Sequence, residues 1–334
     1  MPAGKPRHLV VYLPHRIPMW RLPNVSRELI RKKARPAFTV HQPMNEREFL
    51  KVLPAAEVLF AWGLARRHVE KAGALRWLHT PLAGVDRVLN PELMCTDVRV
   101  TSARGVNAVA VAEHTFAMLL ALTRGIADAV RAQGDKRWTM NELDARVPPL
   151  EELDGKLMGI LGLGAIGREL AVRCRAFGMQ VWGVVRRQQK KPDCVDRLLV
   201  AGREDDVIRK ADVLVLALPK TPATDGCIGE RQLRRMKSSA ILINIGRGSL
   251  VQESALIRAL REGWIAGAGL DVFAEEPLPR TSPLWSMPRV VVSPHIGGAH
   301  PDYMPRAAAL FIDNLGRYLR GRTLTNEIDR ETGY

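Results

Sequence analysis

Aromatic residues are scarce: Phe, Trp and Tyr make up 5% of the 334 residues, so the cores must be built mainly from aliphatic side chains. Cysteine is scarcer. The four that occur (Cys95, Cys174, Cys194, Cys227) are scattered, with no metal-type or redox-type spacing. That excludes a disulfide scaffold, predicts reduced thiols and leaves no metal site to expect. No uncharged run approaches the ~20 residues of a membrane span. The apolar stretch 109–122 is interrupted by Glu113 and His114 and reads as a buried helix. Residues 1–8 lack an apolar segment followed by a small-residue cleavage site, so a cytoplasmic location is expected. There is no solenoid repeat and no low-complexity segment. Charge of one sign is in excess, at a net +15, but the cations are dispersed (Arg31-Lys32-Lys33, Arg66-Arg67, Arg186-Arg187, Lys190-Lys191, Arg234-Arg235) and not interleaved with aromatics. No nucleic-acid motif accompanies them. The charge is equally consistent with anionic small molecules and with a compositional habit of an Arg-rich proteome, and nucleic-acid binding is not expected.

The chain is long enough for two domains. In the first third, short aliphatic runs alternate with helical patterns: strands at 9–13, 38–41, 58–61, 75–79 and 98–101, helices at 25–35 and 46–53. Alternation of this kind predicts a parallel sheet covered on both faces. Residues 107–133 read as one long helix, apolar at Val111, Thr115, Met118, Leu119 and Leu122, long enough to bridge domains or subunits. A Pro-rich charged stretch, 146–152, follows as a loop. A second series then begins, with strands at 157–161, 180–185, 212–218, 241–245, 268–272 and 290–292. A helix at 168–177 is closed by Gly178, and a last helix covers 305–320.

Between the strand 157–161 and its helix lies Gly162-Leu163-Gly164-Ala165-Ile166-Gly167. A lone GxGxxG is weak, but between a buried strand and an amphipathic helix it reads as a dinucleotide cradle. Its glycines allow the turn, the approach of the pyrophosphate and close helix packing, and the helix N-terminus offers N–H groups to phosphate. The next strand ends Val184-Val185-Arg186-Arg187. Val185 stands where an NAD site usually places an acid for the ribose hydroxyls. Two arginines follow that can grip a 2′-phosphate, so NADP(H) is expected over NAD(H).

Three polar residues complete the expected chemistry, each after a strand-like run: Arg247 in Asn-Ile-Gly-Arg-Gly, Glu276 in Glu-Glu-Pro, and His295 in Ser-Pro-His-Ile-Gly-Gly. Hydride addition to a keto carbon builds charge on its oxygen, and His is the side chain suited to protonate it near neutral pH. A carboxylate partner orients the ring and favours imidazolium. A guanidinium matches the substrate carboxylate as a fork, which Lys cannot do.

Taken together with Gly269-Leu270-Asp271-Val272-Phe273, Leu82-Ala83-Gly84-Val85-Asp86 and the segment 106–113, these motifs resemble the D-isomer-specific 2-hydroxyacid dehydrogenase family, from about residue 58 to the last helix. The resemblance implies an α/β protein of two doubly wound parallel-sheet domains. A flavodoxin-like substrate domain would comprise residues 1–102 and 297–334, and a Rossmann dinucleotide-binding domain, 103–296, would be inserted in it. It implies Arg247, Glu276 and His295 as catalytic residues. Ala83 and Gly84 would offer N–H groups to the substrate carboxylate alongside Arg247 and His295. The cofactor would lie against Gly162, Gly164, Ala165, Ile166, Gly167, Arg186, Arg187, Leu218, Ile245, Gly246, Arg247, Asp271, His295, Gly297 and Gly298. It also implies a homodimer through the helix around 107–133. The expected function is NADP(H)-dependent interconversion of small 2-keto acids, such as glyoxylate or hydroxypyruvate, with D-2-hydroxy acids. Trp62 and Met304 are candidates to limit the pocket. The alternative from another class is a dinucleotide-sensing scaffold, like the corepressors of the same family, that binds protein partners.

Overall fold

A computed structural model describes residues 6–330 and 333. In chain order the elements are β1 (His8–Tyr12), α1 (Asn24–Ala34), β2 (Thr39–His41), α2 (Glu46–Val52), β3 (Ala56–Ala61), α3 (Arg66–Val69), β4 (Trp77–Thr80), α4 (Pro91–Met94) and β5 (Arg99–Ser102). Then come α5 (Ala108–Thr123), α6 (Ile126–Gly134), α7 (Met140–Asp144), β6 (Leu157–Leu161), α8 (Ala165–Ala176), β7 (Gln180–Val185), β8 (Arg197–Val200), α9 (Glu204–Ile208) and β9 (Val213–Leu216). The chain ends with α10 (Glu230–Leu233), β10 (Ile241–Asn244), α11 (Glu253–Arg261), β11 (Gly267–Leu270), β12 (Val290–Val292) and α12 (Tyr303–Leu319).

The chain divides into two compact units, one from the residues up to Asn107 together with those from His300 on, the other Ala108–Ala299. The breaks fall a few residues beyond the expected boundaries at 102/103 and 296/297. In the first unit the strands pair in the order β2-β1-β3-β4-β5, all parallel, which is the flavodoxin-like order. The second unit's order is β12-β11-β10-β9-β6-β7-β8, again parallel throughout. Its middle, in which β6 lies between β9 and β7, is the doubly wound order that reverses direction at β6/β9. β6 and β9 are buried at every residue, because helices cover both faces of a parallel sheet and leave no wet side to alternate toward.

Residues 107–133 do not form the single helix that their periodicity predicts. Gly125 takes φ +67, and a side chain there would meet Leu150 at 2.9 Å and Leu143 at 3.1 Å. The left-handed turn ends α5 and starts α6 at 73° to it. No single helix among the described residues is long and apolar enough to cross a membrane; only this bent pair has the combined length, and α5 is largely buried. α8 closes as expected at Gly178: Met179 N–H donates to Cys174 O (3.0 Å) and Gly178 N–H to Arg175 O (3.2 Å), the paired bonds of a Schellman end. Seven elements escape the periodicity reading: the edge strand β8 and the helices α3, α4, α7, α9, α10 and α11, most of them only four or five residues long.

Candidate active site

The carboxyl ends of the strands in the seven-stranded sheet carry most of the expected site residues. Gly162 follows β6, Arg186 and Arg187 follow β7, Leu218 lies just past β9, and Ile245, Gly246 and Arg247 follow β10. Asp271 and Glu276 follow β11, and His295, Gly297 and Gly298 follow β12. Open α/β sheets bind ligands at these ends.

His295 has a left-handed backbone, φ +55, and a half-exposed ring whose Nδ1 lies 2.8 Å from Glu276 Oε2. Contact with the carboxylate favours the Nδ1 proton toward Glu276 and leaves Nε2 outside that pair. The other oxygen of Glu276 accepts the N–H of Phe273 at 3.1 Å, so the carboxylate is itself fixed. The loop of Arg247 packs on the same segment: a side chain at Gly248 would collide with the backbone of Phe273. Arg247 is half-buried, and its Nη1 donates to the carbonyl of Gly246 at 2.8 Å. Guanidinium, carboxylate and imidazole thus stand on neighbouring loops that touch one another.

Two buried side chains hold this arrangement, and the motif reading assigned neither to that work. Asn244, 1% exposed at the end of β10, accepts the Gly246 N–H at 3.1 Å and donates to the Arg247 carbonyl at 2.9 Å. Asp271, 3% exposed after β11, was expected against the nicotinamide. Its Oδ1 accepts the Ser293 hydroxyl (2.7 Å) and the Ile296 N–H (3.0 Å), and its Oδ2 accepts the Gly297 N–H (3.0 Å). His114 Nε2 approaches Oδ1 to 3.4 Å, which we treat as a long polar contact rather than a full hydrogen bond. Burial alone would raise the Asp271 pKa, but these donors outweigh it and the net shift is downward. The carboxylate is therefore ionised and clasps both sides of the His295 turn. Gly297 is required by that clasp, since a Cβ there would sit 2.8 Å from Asp271 Oδ2, and its N–H is already engaged. The presence of Asn and Asp inside the motifs was visible in sequence; their inward direction was not.

The glycine turn fits a dinucleotide. At Gly162, with φ +101, a Cβ would lie 2.6 Å from Ala217 O, whereas at Gly164 it would meet nothing within 4 Å. The fold needs the first glycine; at the second the protein leaves open space that a pyrophosphate could approach. Gly164 caps α8, whose first N–H groups, at Ala165, Ile166 and Gly167, have no intrahelical acceptor and suit phosphate oxygens. Val185 is 8% exposed at the end of β7, and Arg186 and Arg187 follow it on the surface. Among the described residues no group of three or more His, Cys, Asp or Glu could hold a metal. The Cys174 thiol is pushed up to about 12 by burial, out of the range of nucleophilic chemistry.

In the other unit, Ala83 and Gly84 follow β4. Tyr303 donates its hydroxyl to Pro81 O at 2.9 Å, and Thr80 Oγ accepts the Leu82 N–H at 3.2 Å, which braces the turn they belong to. Met304 is not a pocket residue: it is 0% exposed in the core beneath α12. Trp62 remains half-buried at the end of β3.

Residues 116–297 match the family model for the NAD binding domain of D-isomer specific 2-hydroxyacid dehydrogenases. A glyoxylate reductase of Korarchaeum cryptofilum is 34% identical over 267 residues, 78% of each chain. One of Aeropyrum pernix is 38% identical over 239 residues, 70% of each. Among solved structures, a D-isomer specific 2-hydroxyacid dehydrogenase from Xanthobacter autotrophicus, in complex with NADPH and MES, is 27% identical with a TM-score of 0.81, covering 98% of this chain and 100% of its own. An NADPH-dependent glyoxylate/hydroxypyruvate reductase from Sinorhizobium meliloti, in complex with NADP and sulfate, is 25% identical with the same TM-score of 0.81. On the family model and these likenesses, the chain belongs to the D-isomer specific 2-hydroxyacid dehydrogenase family and is a nicotinamide-dinucleotide-dependent oxidoreductase.

Proposed function

We propose that the protein reduces small 2-keto acids, glyoxylate and hydroxypyruvate foremost, to D-2-hydroxy acids, with NADP(H) preferred over NAD(H). A nicotinamide, when bound, would supply the hydride that reduces the keto carbon. His295, held through Nδ1 by Glu276, gives the proton at Nε2 to the oxygen that becomes the hydroxyl. Arg247 binds the substrate carboxylate and carbonyl, and Ala83 and Gly84 carry N–H groups suited to a carboxylate. In the oxidative direction His295 takes the proton back.

The observation that carries this reading is the 2.8 Å pairing of His295 with Glu276 on a loop clasped by Asp271. The cofactor preference rests on the buried Val185 and the surface pair Arg186 and Arg187. A carboxylate at that place would repel a 2′-phosphate; guanidiniums attract it. The names of the glyoxylate reductases and of the NADPH-dependent reductase from Sinorhizobium meliloti support the substrate and cofactor assignments. The test is oxidation of NADPH and NADH with a panel of 2-keto acids. Tight dinucleotide binding without turnover of any of them would favour the scaffold alternative.

A homodimer through the helix around 107–133 belongs to the same proposal, and the segment up to Val147 adds to its surface. Large exposed apolar side chains concentrate there: Val109, Ile126, Val130, Trp138, Met140 and Val147, with Trp138 89% exposed. Such concentrations mark association surfaces. Sedimentation of Trp138→Glu should give monomer where the wild type gives dimer; a monomeric wild type would end the proposal.

A further inference from the structure

Arg289 is a charged residue in a costly backbone conformation. It immediately precedes β12 with φ +59, in the left-handed region where glycine would sit without penalty. Its carbonyl accepts the Ala268 N–H at 3.0 Å, so β11 holds the backbone there. The side chain lines a concavity at the amino ends of β10, β11 and β12, together with Arg146, Leu122, Thr123, Glu151 and Ser239. About 320 Å³ of space lies in it, continuous with solvent, which is the small end of ligand pockets. All of it belongs to the unit Ala108–Ala299.

The charges around this concavity do not balance. The Arg146 side chain is 14% exposed and well employed: Nη1 donates to Asp128 Oδ2 at 3.2 Å, Nη2 to Leu122 O at 3.1 Å and Nε to Pro148 O at 3.0 Å. Asp128 is shared, since its Oδ1 accepts Arg131 Nη1 at 2.9 Å. The other acid, Glu151, is held by Lys156 at 2.8 Å. Half-buried Arg289 makes one long bond, from Nη1 to Val147 O at 3.3 Å, and among the described residues no carboxylate pairs with it. Burial, and then the Arg146 charge, hold its guanidinium below the usual range, and Asp128 offsets only part of this. A guanidinium does not shed its proton to escape such a neighbour. The repulsion persists until an anion joins the pair.

We propose that this concavity binds a phosphate dianion, free or as a phosphomonoester, with Arg289 supplying the fork and Arg146 the second charge. Planar guanidinium donors match phosphate oxygens two at a time, and a dianion answers both cations with one small group. The ligand would fasten the loop at Arg146 and Pro148 to the start of β12. This goes beyond the reductase reading, which uses the opposite, carboxyl ends of the strands. None of the apolar side chains assigned to the dimer surface lines the concavity.

The test is calorimetric titration of wild type and Arg289→Gly with inorganic phosphate, glycerol 3-phosphate and succinate, at constant ionic strength and about pH 8, where phosphate is a dianion. Phosphate bound near the expected cofactor site contributes equally to both proteins, so the difference between them reports this site. The wild type should bind one more phosphate group per chain than the variant, or bind it about tenfold or more tightly, as loss of a charge-assisted pair requires. Tighter binding of glycerol 3-phosphate than of inorganic phosphate would make the ligand a phosphomonoester; the reverse would make it the free ion. Glycine suits the backbone here, so without phosphate the variant should melt within about 2 °C of wild type. Equal phosphate binding by both proteins, none by wild type, or succinate bound as tightly as phosphate would overturn the proposal. So would a variant much less stable without phosphate, which would make Arg289 a structural tie.

Discussion

After β10, β11 and β12 the loops are fastened from inside by Asn244 and Asp271, side chains 1% and 3% exposed whose hydrogen bonds set the backbone around Arg247 and His295. After β7, Arg186 and Arg187 stand on an exposed loop. Side-chain ties around that loop include the exposed one from Arg168 to Gln189 at 3.2 Å and one from Lys191 to the Val195 carbonyl at 2.6 Å. The difference follows from the work each end has to do. Proton transfer depends on sub-ångström placement of one nitrogen. Attraction of a phosphate dianion falls off slowly with distance and tolerates flexible cations. Under the proposed function, one end of the sheet holds the proton donor through buried hydrogen bonds and the other meets the cofactor's phosphate with exposed cations.

The comparison can be broken or sharpened at both ends. His295→Ala should slow the chemical step by about 10²–10⁴-fold while the dissociation constant for NADPH barely changes; single-turnover fluorescence separates the two. At the exposed end, Arg186→Ala with Arg187→Ala should lower kcat/KM for NADPH by about 10–100-fold, the value of one to two charge-assisted contacts, and leave that for NADH nearly unchanged. An equal loss for both cofactors would place the arginines in folding rather than selectivity.

Asp271→Asn replaces an acceptor with an amide whose N–H₂ must face either the Gly297 N–H or the Ser293 and Ile296 donors. It should cost about 1–3 kcal/mol of stability at neutral pH and lower kcat by about tenfold. The pH dependence has a definite sign. The Asp271 pKa is lowered on folding, so its stabilising contribution is complete above the unfolded value of about 3.9 and fades as pH falls from there through the folded value. The gap between wild-type and variant melting temperatures should be full at pH 7 and should narrow below about pH 4. A gap independent of pH would mean that the charge is not what holds the loop. The smallest effect on the protein itself is expected at Gly164→Ala, where no protein atom lies within 4 Å of a Cβ. Stability without ligand should fall by no more than about 1 kcal/mol, a helix-cap effect, while NADPH affinity weakens several-fold. Unchanged affinity would remove Gly164 from the pyrophosphate path.

Much of this was legible in the sequence because the relevant patterns are local. Buried parallel strands write continuous aliphatic runs, so β6 coincides with its expected span, and the glycine turn identifies itself by its place between strand and helix. What escaped is what depends on tertiary partners. Residues 107–133 keep a helical period through the break, and the backbone sign of Gly125 is invisible in a hydrophobic pattern. β8 is four residues long at a sheet edge, with Arg197 lying over the Trp182 ring, too short to declare a period. Met304 reads as an adaptable pocket side chain but is buried on the core-facing side of α12. Asp271 is the clearest case. Its motif marked it as important, but only the folded loop directs its oxygens to Ser293, Ile296 and Gly297.

Initial rates with glyoxylate and hydroxypyruvate, read as oxidation of NADPH and then of NADH by the same purified enzyme, test the central claim most directly. Turnover of both acids with a higher kcat/KM for NADPH is the predicted result. No turnover with either cofactor would contradict the reductase assignment, and a clear preference for NADH would contradict the role given to Val185, Arg186 and Arg187.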